Sequence, residues 1–194
     1  VLERKSYPLG VKDLAPVLRG IKDQNPDAFI GITYPPDTIL ASRQAREVGL
    51  NPKFFYASVG TAFQLYKNVM AANTEGVIGM GSWSVKTSPE AKAYFDAHVK
   101  KFNKEPDRWA SGHAWAGLQI LQQAVEKVGL DRKALREHIA TNEFKTILGG
   151  IRFQGSENAS IPGTVSQWQG SDFEVVWPKD RATAQLNTSK PAWK

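Results

Sequence analysis

The sequence predicts an α/β protein with a parallel sheet, and three observations predict it. Over roughly the first 83 residues, short apolar runs alternate with helical patterns in the order β-α-β-α-β-α-β, which lays helices over a parallel sheet. Between residues 88 and 141 the alternation gives way to three helical segments in succession, which belong over a different sheet. The tail then returns to strand character in "GGIRFQG" and the hairpin-like "TVSQWQGSDFEVVWP".

The elements follow from local chemistry. The opening "VLERKSYPLG" reads as a strand entering a turn, as though it continued a larger protein. Asp13 is placed to cap a helix whose Leu14, Val17, Leu18 and Ile21 fall on one face. "NPD" ends that helix, and residues 28–33 form a strand whose apolar Phe29, Ile30 and Ile32 suit burial on both faces. Pro35 and Pro36 stop it, because the first biases Tyr34 away from helical dihedrals and the second removes a further donor. Asp37 reads as the cap of a helix over 37–48 that stops at Gly49. "PKFFYAS" is the next strand, "VGTAFQLYKNVM" turns into a short helix, and residues 76–83 are a strand again.

Ser88 with Pro89 behind it opens the first of the three successive helices, whose Ala91, Tyr94, Phe95, His98 and Phe102 share a face. The second runs from about Trp109 to Val128 with Leu118, Leu121, Val125 and Val128 in register and Gly129 as its stop. The third, from Asp131 to about Thr141, carries Leu135 and Ile139.

Composition narrows the function. The 194 residues are 41% hydrophobic and 23% charged, with no cysteine, so disulfides, thiol chemistry and thiolate zinc sites are excluded. No apolar run approaches the roughly 18 residues of a membrane-spanning helix. The net charge of +6 is spread in mixed-sign company, as in "DRKALREH", which reads as a solvated surface rather than a nucleic-acid face. His98, His113 and His138 lie far apart without metal-ligand spacing, and no P-loop, G-x-S-x-G or H-E-x-x-H occurs. The glycines of "GVIGMGSW" do not follow the dinucleotide order, and Asp37 and Glu75 are explained as cap and turn. No cofactor, metal or enzymatic reaction is expected.

Two strand-end corners are the candidates for binding, because ligands of open α/β sheets sit at the carboxyl ends of the strands. One is Tyr34-Pro35-Pro36, read either as a ring held at a cleft or as a ring packed beneath its own loop. The other is "ASVGTAF", where Ser58, Val59, Gly60 and Thr61 form either a ligand-gripping turn or a routine strand-helix connection. Both emerge on the same edge of one sheet, which favours binding.

"YPLGVKDLAPVLRGIKDQNPD", the strand ending in Tyr34, "RQAREVGL", "ASVGTAF", "GHAWAGLQILQQAVEKVG" and "VVWP" together resemble the substrate-binding proteins of ABC transporters in the branched-chain amino acid class. The resemblance implies the type I periplasmic-binding-protein fold, with two Rossmann-like lobes joined by crossovers, present here as a C-terminal portion. It implies that residues 1–82 and 164–194 belong to the second lobe and 83–163 to the first. It further implies a small-molecule ligand, a membrane permease as partner, a periplasmic location, and association with the missing N-terminal segment or with a second copy through open strand edges. Tyr34 matches the family's second-lobe tyrosine, and Trp83 stands at the crossover. The ligand is expected to be a small carboxylic acid or an amino acid: in amino-acid binders an acidic residue near Ser58 pairs with the ligand's ammonium, and "YASVGTAF" has none, which favours an acid with an apolar or aromatic body over an amino acid. The alternative is the ligand-sensing core of a transcription regulator with the same bilobal fold.

Overall fold

The computed structural model describes residues 1–161 and 163–194; Pro162, inside the range assigned to the first lobe, lies outside the described residues. In chain order the first elements are α1 (Ala15–Asp23), β1 (Ala28–Ile30), α2 (Pro35–Val48), β2 (Phe54–Tyr56), α3 (Gln64–Met70) and β3 (Ile78–Gly81). Then come α4 (Pro89–Phe102), α5 (Ala110–Val128) and α6 (Arg132–Thr141). The remaining strands are β4 (Glu143–Thr146), β5 (Gly149–Gln154), β6 (Glu157–Asn158), β7 (Thr164–Gln169) and β8 (Asp172–Trp177). The chain divides into two compact units, one of Val1–Gly81 with Val165–Lys194 and one of Ser82–Thr164.

The first unit is built on a five-stranded sheet in the order β1-β2-β3-β7-β8, parallel from β1 through β3 and antiparallel between β7 and β8. Phe29 and Phe55 face each other in the β1–β2 register and stack at 4.8 Å, and Trp193 of the tail meets Phe55 edge-on at 5.2 Å. Burying a ring of this kind contributes about 1.5–3 kcal/mol, so the tail is a structural part of the sheet's covering. Tyr66 is fully buried and donates to Ser42 Oγ at 3.0 Å; burial pushes its hydroxyl far above the ordinary range.

The second unit packs α4, α5 and α6 with the three-stranded sheet β4-β5-β6 around Trp83, Ile120, Phe144, Leu148 and Ile151. Ser88 Oγ accepts from Ala91 N at 3.0 Å and Asp131 Oδ1 from Ala134 N at 2.8 Å, as their cap positions require.

Several sequence readings change. The opening residues form no strand. Residues 28–33 were expected to be covered on both faces, yet burial alternates: Phe29 and Thr33 are buried while Ile30 and Ile32 are 66% and 78% exposed. A period of two is the pattern of a sheet with one open face. The helix expected to begin at Asp37 begins at Pro35, with Tyr34 in the cap position and both prolines in the first turn, where no donor is lost. The first helix likewise starts at Ala15, whose N–H is held by Asp13 Oδ1 at 2.9 Å. The helix expected over "VGTAFQLYKNVM" is a 3-10 turn over Val59–Ala62 followed by α3.

The buried face of α5 is also not the one its leucines mark. Gly112, Ala116, Ile120 and Ala124 face the core, whereas Leu118 and Leu121 are 61% and 46% exposed. A row of small residues lets neighbours approach closely: a Cβ on Gly112 would lie 2.6 Å from the Trp83 ring.

Candidate functional site

The two corners are built by different means and meet. At the first, the extended backbone of Tyr34 lets its carbonyl accept from Thr38 N at 2.8 Å and Thr38 Oγ1 at 3.0 Å, which fixes the start of α2. The ring is 63% exposed. It is therefore not packed beneath its own loop, and the prolines hold it out at the end of the strand. Pro35 is half-buried.

Beneath the corner, Thr33 Oγ1 and Thr38 Oγ1 lie 2.6 Å apart, and both reach Ala57 O, at 3.2 and 3.3 Å. Thr38 is fully buried and Thr33 nearly so. This hydroxyl pair ties the first corner to the residue that precedes the second.

At the second corner Ser58 has φ 45° and ψ −147°, a region that glycine tolerates and other residues enter at a cost. What holds it there is its carbonyl, which accepts from Met80 N at 3.2 Å and Thr61 Oγ1 at 2.7 Å. Thr61 O in turn accepts from Trp168 Nε1 at 3.0 Å. Gly60 has no room for a side chain, since a Cβ there would lie 2.5 Å from Thr38 Cβ and 2.8 Å from Pro35 Cα. The corners thus touch through Gly60. Burial pushes the Tyr56 hydroxyl upward, partly offset by its hydrogen bond with Ser58.

Of the residues singled out in the sequence, Tyr34, Pro35, Ser58, Val59, Gly60 and Thr61 come together in the first unit. The last four are buried, so Tyr34 is the exposed side chain of this group beside the half-buried Pro35. Trp83 is different. It is fully buried in the core of the second unit, donating to Asp107 O at 3.2 Å and lying 5.1 Å below the Arg108 guanidinium. Its ring has no face left for a ligand, and its role there is packing. Thr33 and Thr38 were missed in the sequence, because a threonine just before a helix or in its first turn carries no pattern that distinguishes a brace from a surface residue.

His98, His113 and His138 each lie against a backbone carbonyl or a neighbouring side chain; His98 Nδ1, for instance, is 2.8 Å from Lys104 O. No group of three or more His, Cys, Asp or Glu that could hold a metal occurs among the described residues. No helix among them is long and apolar enough to cross a membrane.

A parallel run of strands alternating with helices, with an exposed ring at one strand end and a positive-φ turn at the next, fits the type I periplasmic-binding-protein fold. Residues 1–172 match the family described as periplasmic binding protein, and the chain belongs to that family. It is 25% identical to the Leu/Ile/Val-binding protein homolog 7 of Brucella suis over 94% of its own length and 49% of the relative's. A leucine binding protein from Thermotoga maritima matches with a TM-score of 0.74 and 26% identity, over 92% of this chain and 52% of that one. A solute binding protein from R. palustris, in complex with benzoate, matches with a TM-score of 0.75 and 15% identity, over 88% and 48%. The chain spans about half the length of the relatives it matches.

Proposed function

We propose that this chain is part of an extracytoplasmic receptor that captures a small carboxylic acid or amino acid and delivers it to the permease of an ABC importer. Residues 1–82 and 164–194 serve as one lobe, 83–163 return to the other, and the remainder of both is supplied by polypeptide outside this chain. The observation that carries the reading is the exposed Tyr34 ring, on a residue whose backbone carbonyl is held by Thr38 and which is set beside the Ser58 turn. Closure of two lobes on a ligand at that corner is the mechanism, with no bond made or broken.

The ligand we favour is an acid with an apolar or aromatic body. An ammonium enclosed without a partner costs several kcal/mol, and the turn Ser58–Thr61 contains no acidic residue. The relatives named for leucine, isoleucine and valine and the fold neighbour solved with benzoate mark the two classes to be separated. A thermal-shift panel on a polypeptide of the relatives' full length decides. Stabilisation by benzoate- or cinnamate-type acids is expected; stabilisation by leucine, isoleucine or valine alone overturns the ligand class.

A further inference from the structure

The sequence explains Asp37 as a helix cap; the structure does not use it as one. Tyr34 holds the cap position of α2, and Asp37 lies inside the first turn, 5% exposed. It lines a groove of about 880 Å³ that also takes in Ile32, Tyr34 and, from the opening segment, Tyr7. We propose that Tyr7 and Asp37 form a subsite for a hydroxyl group, carried by the captured acid at the end of its body remote from its carboxylate. The proposal rests on the receptor reading and deepens it by naming the ligand class, a hydroxylated aromatic acid.

Three observations carry it. First, neither side chain makes a hydrogen bond among the described residues, yet the two lie within electrostatic range: burial, and after it the Asp37 carboxylate, raise the Tyr7 hydroxyl above its ordinary value. A donor and an acceptor face each other without closing a bond. A hydroxyl serves both, donating to the carboxylate while accepting from the phenol. Second, a carboxylate kept buried without a donor is costly, and the dipole of α2 offsets only part of that cost. A donor arriving with a ligand removes the remainder. Third, the groove beside the pair offers apolar surface, with Ile32 and Tyr34 78% and 63% exposed there, enough for a flat body.

Charge decides which donor fits. Asp37 repels the ligand's own carboxylate, so donor and carboxylate must stand at opposite ends of the molecule. An α-amino acid cannot arrange this, because its ammonium and carboxylate hang on the same carbon. An aromatic ring sets a hydroxyl apart from a carboxylate by its full width, and its faces suit Tyr34.

Calorimetry on a polypeptide of the relatives' full length tests the subsite with benzoate, 3-hydroxybenzoate and 4-hydroxybenzoate as probes. One of the hydroxylated acids should bind about ten-fold or more tighter than benzoate, the scale of a hydrogen bond to a charged group. Asp37→Ala should bring that ratio to about one, and Tyr7→Phe should lower it about three-fold. The ratio is the readout because damage to the fold weakens all three acids together. Tyr7→Phe removes one oxygen from a half-buried residue, so it serves where Asp37→Ala does not fold. In the 194-residue chain, the Tyr7 hydroxyl followed by NMR should titrate lower in Asp37→Asn than in the parent. Four results overturn the proposal: equal affinity for benzoate and both hydroxylated acids, no binding of either hydroxylated acid, a preference that survives Asp37→Ala, or a Tyr7 titration that ignores Asp37→Asn. Equal affinity means that water alone fills the gap, and it leaves a receptor for aromatic acids standing. Stabilisation by leucine, isoleucine or valine alone overturns instead the acid class on which the subsite rests.

Discussion

The two corners solve one problem in opposite ways. At the first, a side chain is presented and the backbone is ordinary: Tyr34 is extended, 63% exposed, and followed by prolines that cost no hydrogen bond. At the second, the backbone is what is shaped: Ser58 sits at φ 45° while Val59, Gly60 and Thr61 are buried. The difference teaches that exposure and backbone strain can mark neighbouring strand ends independently of one another. Losing the ring should cost ligand and little stability, whereas disturbing the turn should cost stability first.

The largest effect that would break this contrast is at their point of contact. Gly60→Val puts a branched side chain into Thr38 and Pro35, and unfolding in urea should show a loss of about 3 kcal/mol, at the upper end for overpacking. A neutral result would mean that the corners do not touch as described. Next comes Tyr34→Ala in a polypeptide of the relatives' length. Binding of the panel's best ligand should weaken by roughly 1–3 kcal/mol by calorimetry, with stability within about 0.5 kcal/mol of the parent. Equal losses of both would erase the distinction between the corners. Thr38→Val keeps the shape and removes one hydroxyl, leaving Thr33 Oγ1 and Tyr34 O each one bond poorer; about 1–2 kcal/mol should be lost, and Thr38→Ser should recover most of it.

The last effect is absent at neutral pH, lies away from both corners and serves as their control. Lys190 is 5% exposed, donates to Asn51 Oδ1 at 2.8 Å and lies 3.6 Å over the Trp193 ring, and burial lowers it from 10.5 to about 8. Between those values the unfolded chain holds more protons than the folded one, so stability should rise with pH from about 8 to 10.5 and be flat below. Lys190→Met should abolish the rise while leaving Tyr34-dependent binding unchanged. A rise that survives the substitution assigns it to another group.

Much of this architecture was legible because punctuation residues act locally. Pro35, Gly49, Ser88 and Asp131 mark helix ends through their own dihedrals or their own side chains, and each marks one here within two residues. What failed to show was anything decided by a neighbour distant in sequence. The leucines of α5 promised a buried face by size alone, but Trp83 needed a close approach, and only Gly112 and the alanines allow it. Ile30 and Ile32 read as buried because apolar runs usually are, and nothing in a single strand says which side will be covered. Of the candidate site, Tyr34 and the Ser58 turn are the parts the sequence offered; the Thr33–Thr38 brace joins residues whose partner, Ala57, lies 24 and 19 positions away.

The hydrogen bond from Trp168 to Thr61 spans 107 positions of sequence, and it has a consequence in time. A ribosome adding about 5–20 residues per second leaves Thr61 without that partner for roughly 5–20 s. Throughout that interval the second unit is synthesised in full, while the turn at Ser58 lacks the strand that helps hold its shape. The corner is therefore among the last parts of the first unit to set, and a nascent chain carries its sheet edge open long after most of its helices have formed.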